Sequence, residues 1–391
     1  MGRIDTLINE LCPEGVEFVK VGDIAQVGTG SSNGNEAEEN GEYPFFVRSQ
    51  TIKRKNNYEY DEEAIIIPGE GGIGDIFHYI NGKYALHQRV YRIHFTSDKV
   101  NVKYAYYYMM RSFKDFIMMK AVSATVISIR KPMIEGFEIP LPPLPIQEEI
   151  VRILDTFTEL QAELQAELQA RKQQYEYYRD SLLNFSKLNR GGQPLTIWMK
   201  MSEICKNICS GGTPARNKSE YFTGTIPWLR TQEVDWQDVY DTEIKITDEA
   251  VCSSSAKLIP ENCVIIAMYG ATAAKTCINK IPLTTNQACC NLQIDPQKAL
   301  YKYVYYWVCN EYESIKALGQ GSQNNINAQI IKNYPILVPP LKEQQRIVST
   351  LDKFDTLVND LSQGLPAEIE ARRQQYEYYR DKLLTFKRKK A

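Results

Sequence analysis

A glycine-rich stretch is the strongest candidate for a small-molecule site. Residues 69–74 read GEGGIG, directly after the apolar run 64–67, and fit the G-x-G-x-x-G pattern of loops that cradle a dinucleotide. In such sites the loop must lead into a helix, whose N-terminus faces the pyrophosphate. Here residues 76–80 predict a strand and Asn81-Gly82 predicts a turn. We therefore expect a tight loop and no cofactor in this chain.

The cysteines and histidines would form a zinc site only if four ligands came together. The chain has nine cysteines, and only Cys205 with Cys209 and the pair Cys289-Cys290 are close in sequence. The histidines lie in the other half, at His78, His87 and His94. An odd number of cysteines without an export signal is typical of reduced thiols. We predict buried free cysteines and no metal site.

Residues for hydrolysis or methyl transfer do not occur in recognisable patterns. Asp241, Glu243 and Lys245 are of the types that a metal-dependent nuclease uses, but a strand with ordinary surface charge accounts for them. An enzyme that methylates base amino groups would need Asn or Asp before Pro-Pro and an aromatic residue after it. The Pro-Pro pairs here are followed by Leu144 and Leu341. We predict no catalytic residues.

The elements that would position any site are indicated by an internal repeat, the first feature to seek in a sequence. Residues 142–157 (PPLPIQEEIVRILDTF) match residues 339–354 (PPLKEQQRIVSTLDKF). Residues 171–185 (RKQQYEYYRDSLLNF) match residues 372–386 (RRQQYEYYRDKLLTF). The offset is 197 residues for the first pair and 201 for the second, so the second copy carries four extra residues.

Each copy predicts a long helix. Its apolar side chains recur at steps of three and four residues, which is typical of a coiled-coil seam, and two matching stripes pack most simply on each other. In the second copy, Gly364-Leu365-Pro366 predicts a kink or a restart, because proline costs about 3 kcal/mol inside a helix. The predicted seam residues are Ile150, Leu154, Phe157, Leu160, Leu164, Leu168, Tyr175, Tyr178, Leu182, Ile347, Leu351, Phe354, Leu357, Leu361, Ile369, Tyr376, Tyr379 and Leu383.

The first helix contains a shorter repeat, with LQAE at residues 160–163 and 164–167 and LQA at residues 168–170. Four residues add about 6 Å of helix, so one unit more or less would change the length of a rod while nearly preserving its apolar face. All four residue types also favour helices. From the residues alone, a ruler and a helix-forming filler are equally good interpretations.

A weaker repeat lies between the helices and defines the domains. Residues 21–31, 43–50, 62–74, 86–93 and 104–112 resemble residues 201–213, 225–232, 261–273, 285–294 and 301–309. The chain thus contains two copies of one module, a variable β-rich domain and a long helix, and we predict an α+β fold. The predicted parts are an N-terminal segment (1–19), the first domain (20–137), the central helix (138–190), the second domain (191–335) and the C-terminal helix (336–391).

This order of elements, with PPLxxQ opening each helix and QQYEYYRD inside it, resembles the specificity subunits of type I restriction–modification systems over essentially the whole chain. The first residues, RIDTLINELCPEGVEF (3–18), are also typical of that family. The resemblance implies two target-recognition domains, each reading half of a split, asymmetric DNA site. It implies that the two helices separate these domains as an antiparallel coiled coil with pseudo-twofold symmetry. It also favours the ruler interpretation of LQAE.

The resemblance implies several partners: double-stranded DNA, two modification subunits that are adenine methyltransferases, and restriction or translocase subunits. S-adenosylmethionine, ATP and Mg²⁺ are then expected on those partners. The chain itself would be a non-catalytic, cytoplasmic protein without a membrane segment. From the residues, two alternatives remain: a coiled-coil scaffold with ligand-binding heads, and an enzyme acting alone.

The overall charge is not that of a stand-alone DNA-binding protein, which is usually basic. The net charge is −2, and residues 20–137 hold 15 Lys and Arg against 14 Asp and Glu. Contacts to phosphates must therefore come from local patches or from partners. Bases are read by side chains such as Arg, Asn and Gln. Polar, basic and aromatic side chains, most of them at matching positions in the two domains, are the predicted DNA contacts: Arg48, Ser49, Gln50, Lys53, Arg54, Lys55, His87, Gln88, Arg89, Thr213, Arg216, Lys218, Trp228, Arg230, Thr231, Gln232, Asn286 and Gln287.

Two of these candidate groups have structural interpretations as well. Gln88 and Gln287 would hold buried turns together, and residues 53–55 would form a solvated loop. The basic tail, residues 387–390, either contacts phosphate or is disordered, and we expect disorder.

Overall fold

The computed structural model describes residues 2–72, 74–120, 128–184, 196–319, 325–360 and 362–390. The chain divides into two units. Unit 1 consists of Met1–Gln165 together with Glu368–Ala391, and unit 2 consists of Ala166–Ala367. Unit 1 therefore combines residues from both ends of the sequence.

Unit 1 contains a six-stranded sheet. The eight strands of unit 1 are β1 (Glu17–Lys20), β2 (Ala25–Thr29), β3 (Tyr43–Phe46), β4 (Lys53–Lys55), β5 (Tyr60–Pro68), β6 (His78–Leu86), β7 (Val90–Phe95) and β8 (Glu138–Leu141). Its first helices are α1 (Gly2–Leu11), α2 (Val21–Ile24), α3 (Val102–Lys120) and α4 (Lys131–Glu135). The sheet has the order β2-β7-β5-β6-β3-β4, and β1 pairs with β8 in a separate antiparallel ribbon.

The central strand β5 is buried on both faces. Ile65 and Ile67 pack with Phe113 of α3 in one apolar cluster, whereas Ala64 and Ile66 belong to another. Because successive side chains of a strand point to opposite faces, an uninterrupted apolar run is required there. The glycine-rich stretch after β5 is followed by the strand β6, as predicted, although β6 begins at His78 and not at residue 76.

Two local predictions in unit 1 were wrong. Asn81-Gly82 does not form a turn, because β6 continues through both residues and pairs them with Glu63 and Glu62 of β5. Gly82 has a φ of 127°, a backbone conformation that glycine adopts without a steric penalty. Residues 53–55 are not a solvated loop but strand β4, which pairs with β3.

Unit 2 repeats this plan, with a shorter counterpart of β5 in β14. They are β9 (Ile197–Lys200), β10 (Cys205–Ser210), β11 (Ile226–Leu229), β12 (Asp238–Val239), β13 (Lys245–Ile246), β14 (Val264–Ala267), β15 (Thr276–Asn279), β16 (Thr284–Thr285), β17 (Cys289–Ile294) and β18 (Pro335–Val338). The helices that accompany them are α6 (Asp248–Cys252), α7 (Tyr301–Asn310), α8 (Tyr312–Ala317) and α9 (Ala328–Asn333). The sheets have the orders β10-β17-β14-β15-β12, β13-β11-β16 and β18-β9.

A buried glutamine begins the long helix of each copy. The long helices are α5 (Leu144–Leu183), α10 (Leu341–Asn359) and α11 (Leu365–Leu383). In α5, Gln147 accepts a hydrogen bond from the Asn101 N–H (2.8 Å) and donates to the Lys99 and Pro142 carbonyl oxygens (2.9 and 2.7 Å). Its side chain thus ties the end of β8 to the start of α3.

Gln344 makes the same three contacts in unit 2. It accepts from the Leu300 N–H (2.8 Å) and donates to the Lys298 and Pro339 carbonyl oxygens. Both glutamines are fully buried. The internal repeat is therefore retained down to individual hydrogen bonds.

A lysine–tyrosine–aspartate cluster is also repeated. In unit 1, Lys103 Nζ and the Tyr107 hydroxyl lie 2.6 and 2.7 Å from the two carboxylate oxygens of Asp155 on α5. In unit 2, Asp352 of α10 binds Lys302 and Tyr306 in the same way, at 2.7 and 2.6 Å. In each unit, this cluster anchors the helix after the sheet to a long helix.

Within unit 1, α5 packs against α11 in the opposite chain direction. Ile150 of α5 shares an apolar cluster with Leu383 near the end of α11. Farther along α5, Phe157 stacks on Tyr379, with the ring centroids 5.5 Å apart. Later residues of α5 therefore meet earlier residues of α11, so the two helices are antiparallel.

Within unit 2, the same relation holds between the last part of α5 and α10. Tyr178 stacks on Phe354 at 5.2 Å, and Leu183 shares a cluster with Ile347. Among the predicted seam residues that the structure describes, only Tyr178 is classed as exposed, at 38%. The predicted seam residue Leu361 lies outside the described residues.

The second long helix is interrupted, which confirms the predicted restart at Gly364-Leu365-Pro366. α10 ends at Asn359 and α11 begins at Leu365. The Asp360 carboxylate accepts hydrogen bonds from the backbone N–H groups of Ser362 and Gln363 (2.7 and 3.2 Å), which closes a turn between the helices.

The basic tail has a fixed place in unit 1, so the expectation of disorder was wrong. The Val16 N–H donates to the Lys387 carbonyl oxygen, and the Lys389 N–H donates to the Val16 carbonyl oxygen, both at 2.9 Å. Arg388 pairs with Glu138 of β8 and lies over the Phe18 ring of β1. The tail thus extends the β1–β8 ribbon.

The described ranges contain no helix that combines the length and apolar character needed to cross a membrane. They also contain no cluster of three or more His, Cys, Asp or Glu side chains that could hold a metal ion. Cys263, Cys277, Cys289 and Cys290 are buried free thiols. Burial raises the pKa of the Cys263 and Cys290 thiols to about 12, which keeps them protonated at neutral pH.

Candidate nucleic-acid interface

In unit 1, backbone hydrogen bonds join four loops into one surface. The Gly69 N–H donates to the Arg89 carbonyl oxygen, the His87 N–H to that of Phe46, and the Gln88 N–H to that of Ser32, each at 3.0 Å. We call this surface, residues 32–33, 47–49, 69–71 and 87–89, the first loop cluster. It brings together the predicted residues Arg48, Ser49, His87, Gln88 and Arg89.

A charged triad lies at the centre of the first loop cluster. Glu70 Oε2 accepts hydrogen bonds from Arg48 Nη1 at 3.1 Å and from Arg89 Nη1 at 2.9 Å. The three side chains are 43 to 56% exposed. The hydrogen bond from Arg89, with a smaller contribution from Arg48, lowers the pKa of Glu70, so its carboxylate is charged at neutral pH.

His87 is buried beneath the triad and holds the Arg89 backbone. Its burial argues against the prediction that it contacts bases. Its side chain is buried, and its Nδ1 accepts the Arg89 N–H at 3.0 Å. Burial, followed by the nearby Arg48 and Arg89 charges, lowers the pKa of His87. A neutral imidazole is also what the accepting Nδ1 requires. His87 therefore fixes the backbone from which Arg89 projects.

The other polar residues predicted in unit 1 have different positions. Arg54 donates to the Gly41 and Glu42 carbonyl oxygens (2.7 and 2.6 Å), and Lys55 Nζ binds Ser32 Oγ and Glu36 (2.7 and 2.6 Å). These contacts brace the loop before β3. Exposed Lys53 lies on β4 and exposed Gln50 lies beyond the first loop cluster.

Unit 2 has an equivalent surface. The Met268 N–H donates to the Ala288 carbonyl oxygen (2.8 Å), the Asn286 N–H to that of Leu229 (2.9 Å), and the Gly212 N–H to that of Thr285 (2.9 Å). We call residues 212–213, 230–232, 268–270 and 286–288 the second loop cluster. It contains the predicted residues Thr213, Arg230, Thr231, Gln232, Asn286 and Gln287.

The strand pairing corrects the alignment of the two clusters by one residue. Phe46 lies opposite Leu86 in the β3–β6 pair, and Leu229 lies opposite Thr285 in the β11–β16 pair. Leu229 therefore corresponds to Phe46, whereas the sequence comparison had matched Trp228 to it. It follows that Arg48 corresponds to Thr231, and not to Arg230.

Three predicted residues in unit 2 serve the fold. Trp228 is only 5% exposed and its Nε1 donates to the Gly212 carbonyl oxygen at 3.0 Å, so the prediction that it contacts DNA is not supported. Arg230 is held by Glu233 and Glu243. Lys218 Nζ binds the Tyr221 hydroxyl at 2.7 Å. Arg216 is exposed but lies outside the second loop cluster.

The glutamines predicted in both clusters have a shared structural role. Gln88 Nε2 donates to Asn33 Oδ1 at 2.7 Å, and Gln287 Oε1 accepts from the Thr213 hydroxyl. Both side chains are exposed, so they join two surface loops and do not hold buried turns. Each keeps polar atoms at the surface of its cluster.

The two clusters share a backbone plan but differ in chemistry. Corrected by the strand pairing, Arg48, Glu70 and Arg89 correspond to Thr231, Tyr269 and Ala288. The three charged side chains of the first loop cluster are thus replaced by three neutral ones in the second, where Arg230 is paired with Glu233 and Glu243. Sequence reasoning missed Glu70 and Tyr269 as site residues, although Glu70 lies within the glycine-rich stretch.

Comparisons with known proteins show similarity in both halves of the chain. The profile of a family described as "Type I restriction modification DNA specificity domain" matches residues 13–171 and again residues 198–371. The chain is 42% identical over 250 residues to the specificity subunit of the Escherichia coli type I restriction enzyme EcoR124I/EcoR124II. That match spans 62% of this chain and 60% of the E. coli subunit.

Two further similarities cover more of the chain. A Haemophilus influenzae protein assigned as a candidate type I restriction enzyme specificity subunit is 31% identical over 365 residues, or 88% of this chain and 89% of that protein. The crystal structure of the S subunit of a type I restriction–modification system from M. genitalium superposes with a TM-score of 0.63 at 14% identity. It covers 95% of this chain and 96% of its own, and it shows a shared fold.

Proposed function

Because the chain belongs to the family of type I restriction–modification DNA specificity subunits, we propose that its two loop clusters each read one half of a bipartite, asymmetric DNA site. The reading domains are residues 20–137 and 191–335. The observation that carries the proposal is the pair of equivalent loop clusters with different side chains on a repeated frame. Two loop clusters with the same backbone arrangement but different polar side chains can present two different hydrogen-bonding patterns to the bases.

The side chains of the clusters suit base edges in the major groove. Arginine pairs with guanine O6 and N7, and glutamine or asparagine with adenine N6 and N7. Among the predicted residues, the proposal retains Arg48, Ser49, Gln88, Arg89, Thr213, Thr231, Gln232, Asn286 and Gln287. It omits His87 and Trp228, because both are buried.

The partners complete the activity. Subunits of this family assemble with the other subunits of their restriction–modification system and with DNA. We propose two adenine methyltransferase subunits on the repeated helices, joined by restriction or translocase subunits. S-adenosylmethionine, ATP and Mg²⁺ would be bound by those partners. Since the reading domains have nearly balanced charges, the partners would also supply much of the contact to phosphates.

The test is a methylation assay with the assembled complex on DNA carrying systematically varied split sites. We expect methylation only where two defined half-sites occur at a defined separation. Methylation without regard to sequence would contradict the proposal. A coiled-coil scaffold would give no DNA protection with or without partners.

We propose that the LQAE units of α5 set the separation of the half-sites. Leu164 and Leu168 are each 8% exposed, whereas the Gln, Ala and Glu residues between them are exposed. A unit that begins at Leu164 or Leu168 therefore adds one buried leucine and about 6 Å of helix, whereas Leu160 is partly buried.

Deleting residues 164–167 should change the permitted separation but leave both half-sites unchanged, as read by methylome sequencing. The matched control replaces Gln165 and Glu167 with alanine, which keeps the helix length. A deletion that leaves the separation unchanged would contradict the ruler.

A further inference from the structure

The charged triad of the first loop cluster has an arrangement that simple phosphate binding does not explain. We propose that Arg48, Glu70 and Arg89 act as one guanine-reading unit, in which Glu70 is the specificity-determining residue of the first half-site. This inference rests on the proposed function and names the residues that carry it out in unit 1.

The Glu70 carboxylate lowers the positive charge that the two arginines present to DNA. Exposed arginines would bind any phosphate, a contact that positions a protein on DNA but carries no sequence information. Here both guanidinium groups share one carboxylate oxygen, Glu70 Oε2. A phosphate that approached them would also meet the negative charge of Glu70, whose Oε2 lies about 3 Å from the Nη1 atom of each arginine. The edge of a base carries no net charge, so it is repelled less strongly than a phosphate.

Each arginine of the triad has N–H donors that do not contact Glu70. A guanidinium group has five N–H donors in a fixed plane. Arg48 and Arg89 each direct Nη1 to Glu70, and within the described chain neither side chain makes another hydrogen bond. The other donors can meet the adjacent O6 and N7 acceptors of guanine without release of Glu70. The carboxylate thus orients the two arginines and screens them from phosphate at the same time.

A backbone hydrogen bond and several glycines hold the loop that presents Glu70. The Gly69 N–H is bonded to the Arg89 carbonyl oxygen at 3.0 Å. A Cβ at position 69 would come within 3.2 Å of that oxygen. Gly71 and Gly72 have φ values of 73° and 63°, which favour glycine. The glycine-rich stretch therefore fixes Glu70 beside Arg89 and needs no nucleotide to account for it.

The second loop cluster lacks the charged triad of the first. The second loop cluster has Thr231, Tyr269 and Ala288 at the positions of the triad. All three charged residues are absent together there, as expected if they form one unit. Changes to the triad should therefore affect one half-site only.

The test uses the complete complex with its modification subunits. In Glu70→Gln, we expect discrimination against base changes at a guanine of the first half-site to fall about 5- to 150-fold, the range of one good bidentate contact. Binding to unrelated DNA should become tighter and depend more steeply on salt, because two arginines become available to phosphates. The second half-site should be read as before.

Two controls separate this effect from a general loss of charge or fold. Glu39→Gln removes an exposed carboxylate elsewhere in unit 1, and it should change neither measurement. Tyr269→Phe alters the equivalent position of unit 2 and should leave the first half-site unaffected. Should Glu70→Gln fail to fold, Arg48→Lys provides the test, because it keeps the charge but loses the planar fork. It should relax the same position.

The outcomes are distinct from those for the proposed function. A wild-type complex that ignores sequence would overturn the proposed function itself. A sequence-specific wild-type complex whose first half-site is unchanged in both Glu70→Gln and Arg48→Lys would overturn this inference alone. Equal loss of discrimination at both half-sites would also overturn it, since that indicates a general structural effect.

Discussion

At the scale of single residues, the buried glutamines Gln147 and Gln344 define what the PPLxxQ motif does. Each satisfies one N–H group and two carbonyl oxygens where a strand, a helix and a long helix meet. An apolar side chain of similar size would leave these backbone groups without partners. The motif therefore connects a strand, the helix after the sheet and a long helix, and it occurs twice because the module occurs twice.

Replacing Gln147 with alanine should destabilise unit 1. Each buried polar group left without a partner costs about 1–3 kcal/mol, so we expect at least that loss in the free energy of unfolding, measured by urea denaturation. Gln173→Ala, at an exposed position of α5, is the control and should change it by less than about 0.5 kcal/mol. Equal stability of the two variants would contradict this stabilising role of Gln147.

Sequence reasoning located the apolar residues better than the polar ones. The seam was predictable because helical periodicity is a local property, visible at Ile150, Leu154 and Phe157. The site residues depend on strand register, which is set by distant residues. A shift of one position therefore matched Arg230 to Arg48, although the strand pairing places Thr231 at that position. Glu70 was missed because its function depends on two arginines from other loops.

At the scale of elements, the interruption between α10 and α11 distinguishes the two long helices. The extra four residues of the second copy fall in this region, where α5 is continuous. Gly364 is buried, and its N–H donates to the Asp360 carbonyl oxygen at 3.0 Å. A Cβ at this position would overlap the Thr356 and Leu357 carbonyl oxygens. Glycine is therefore required by close packing against the backbone.

Gly364→Ala should lower the free energy of unfolding by about 1–3 kcal/mol, the usual effect of forcing an extra group into a packed site. Thermal and urea denaturation would measure it. Gly2→Ala is a suitable control, because a Cβ there meets no atom within 4 Å. If alanine is tolerated equally at both positions, the turn between α10 and α11 does not depend on glycine.

The elements also show where sequence patterns fail. The interruption was predictable from Gly364 and Pro366, since both residues disfavour helix interiors. The predicted turn at Asn81-Gly82 was wrong, because pairing of β5 with β6 overrides the local turn preference. The three basic residues of β4 likewise gave no strand signal of their own.

At the scale of the whole chain, the tail links the two ends of the sequence within unit 1. Residues 387–389 bond to Val16 through two backbone hydrogen bonds. The basic composition alone had suggested disorder, since composition carries no information about a distant pairing partner. The tail is therefore part of the unit 1 fold.

Deleting residues 387–390 should weaken the β1–β8 ribbon. Two backbone hydrogen bonds contribute about 1–3 kcal/mol together, so amide exchange at Val16 and along β1 should become faster. The matched control replaces the same residues with alanine, which keeps the backbone bonds but removes the side chains, including the contacts of Arg388 with Glu138 and with the Phe18 ring. Unchanged exchange in the deletion variant would show that the tail does not stabilise the ribbon.

The division of the chain has a consequence for its synthesis on the ribosome. Unit 2 is one continuous stretch, but unit 1 needs residues 368–390, which follow about 200 residues after its first part. At roughly 5–20 residues per second, this delay is about 10–40 s. During that interval the nascent chain displays Ile146, Ile150 and Leu154 of α5 before Leu383 and Leu384 exist to cover them. Slower translation would therefore prolong the exposure of an aggregation-prone helix face.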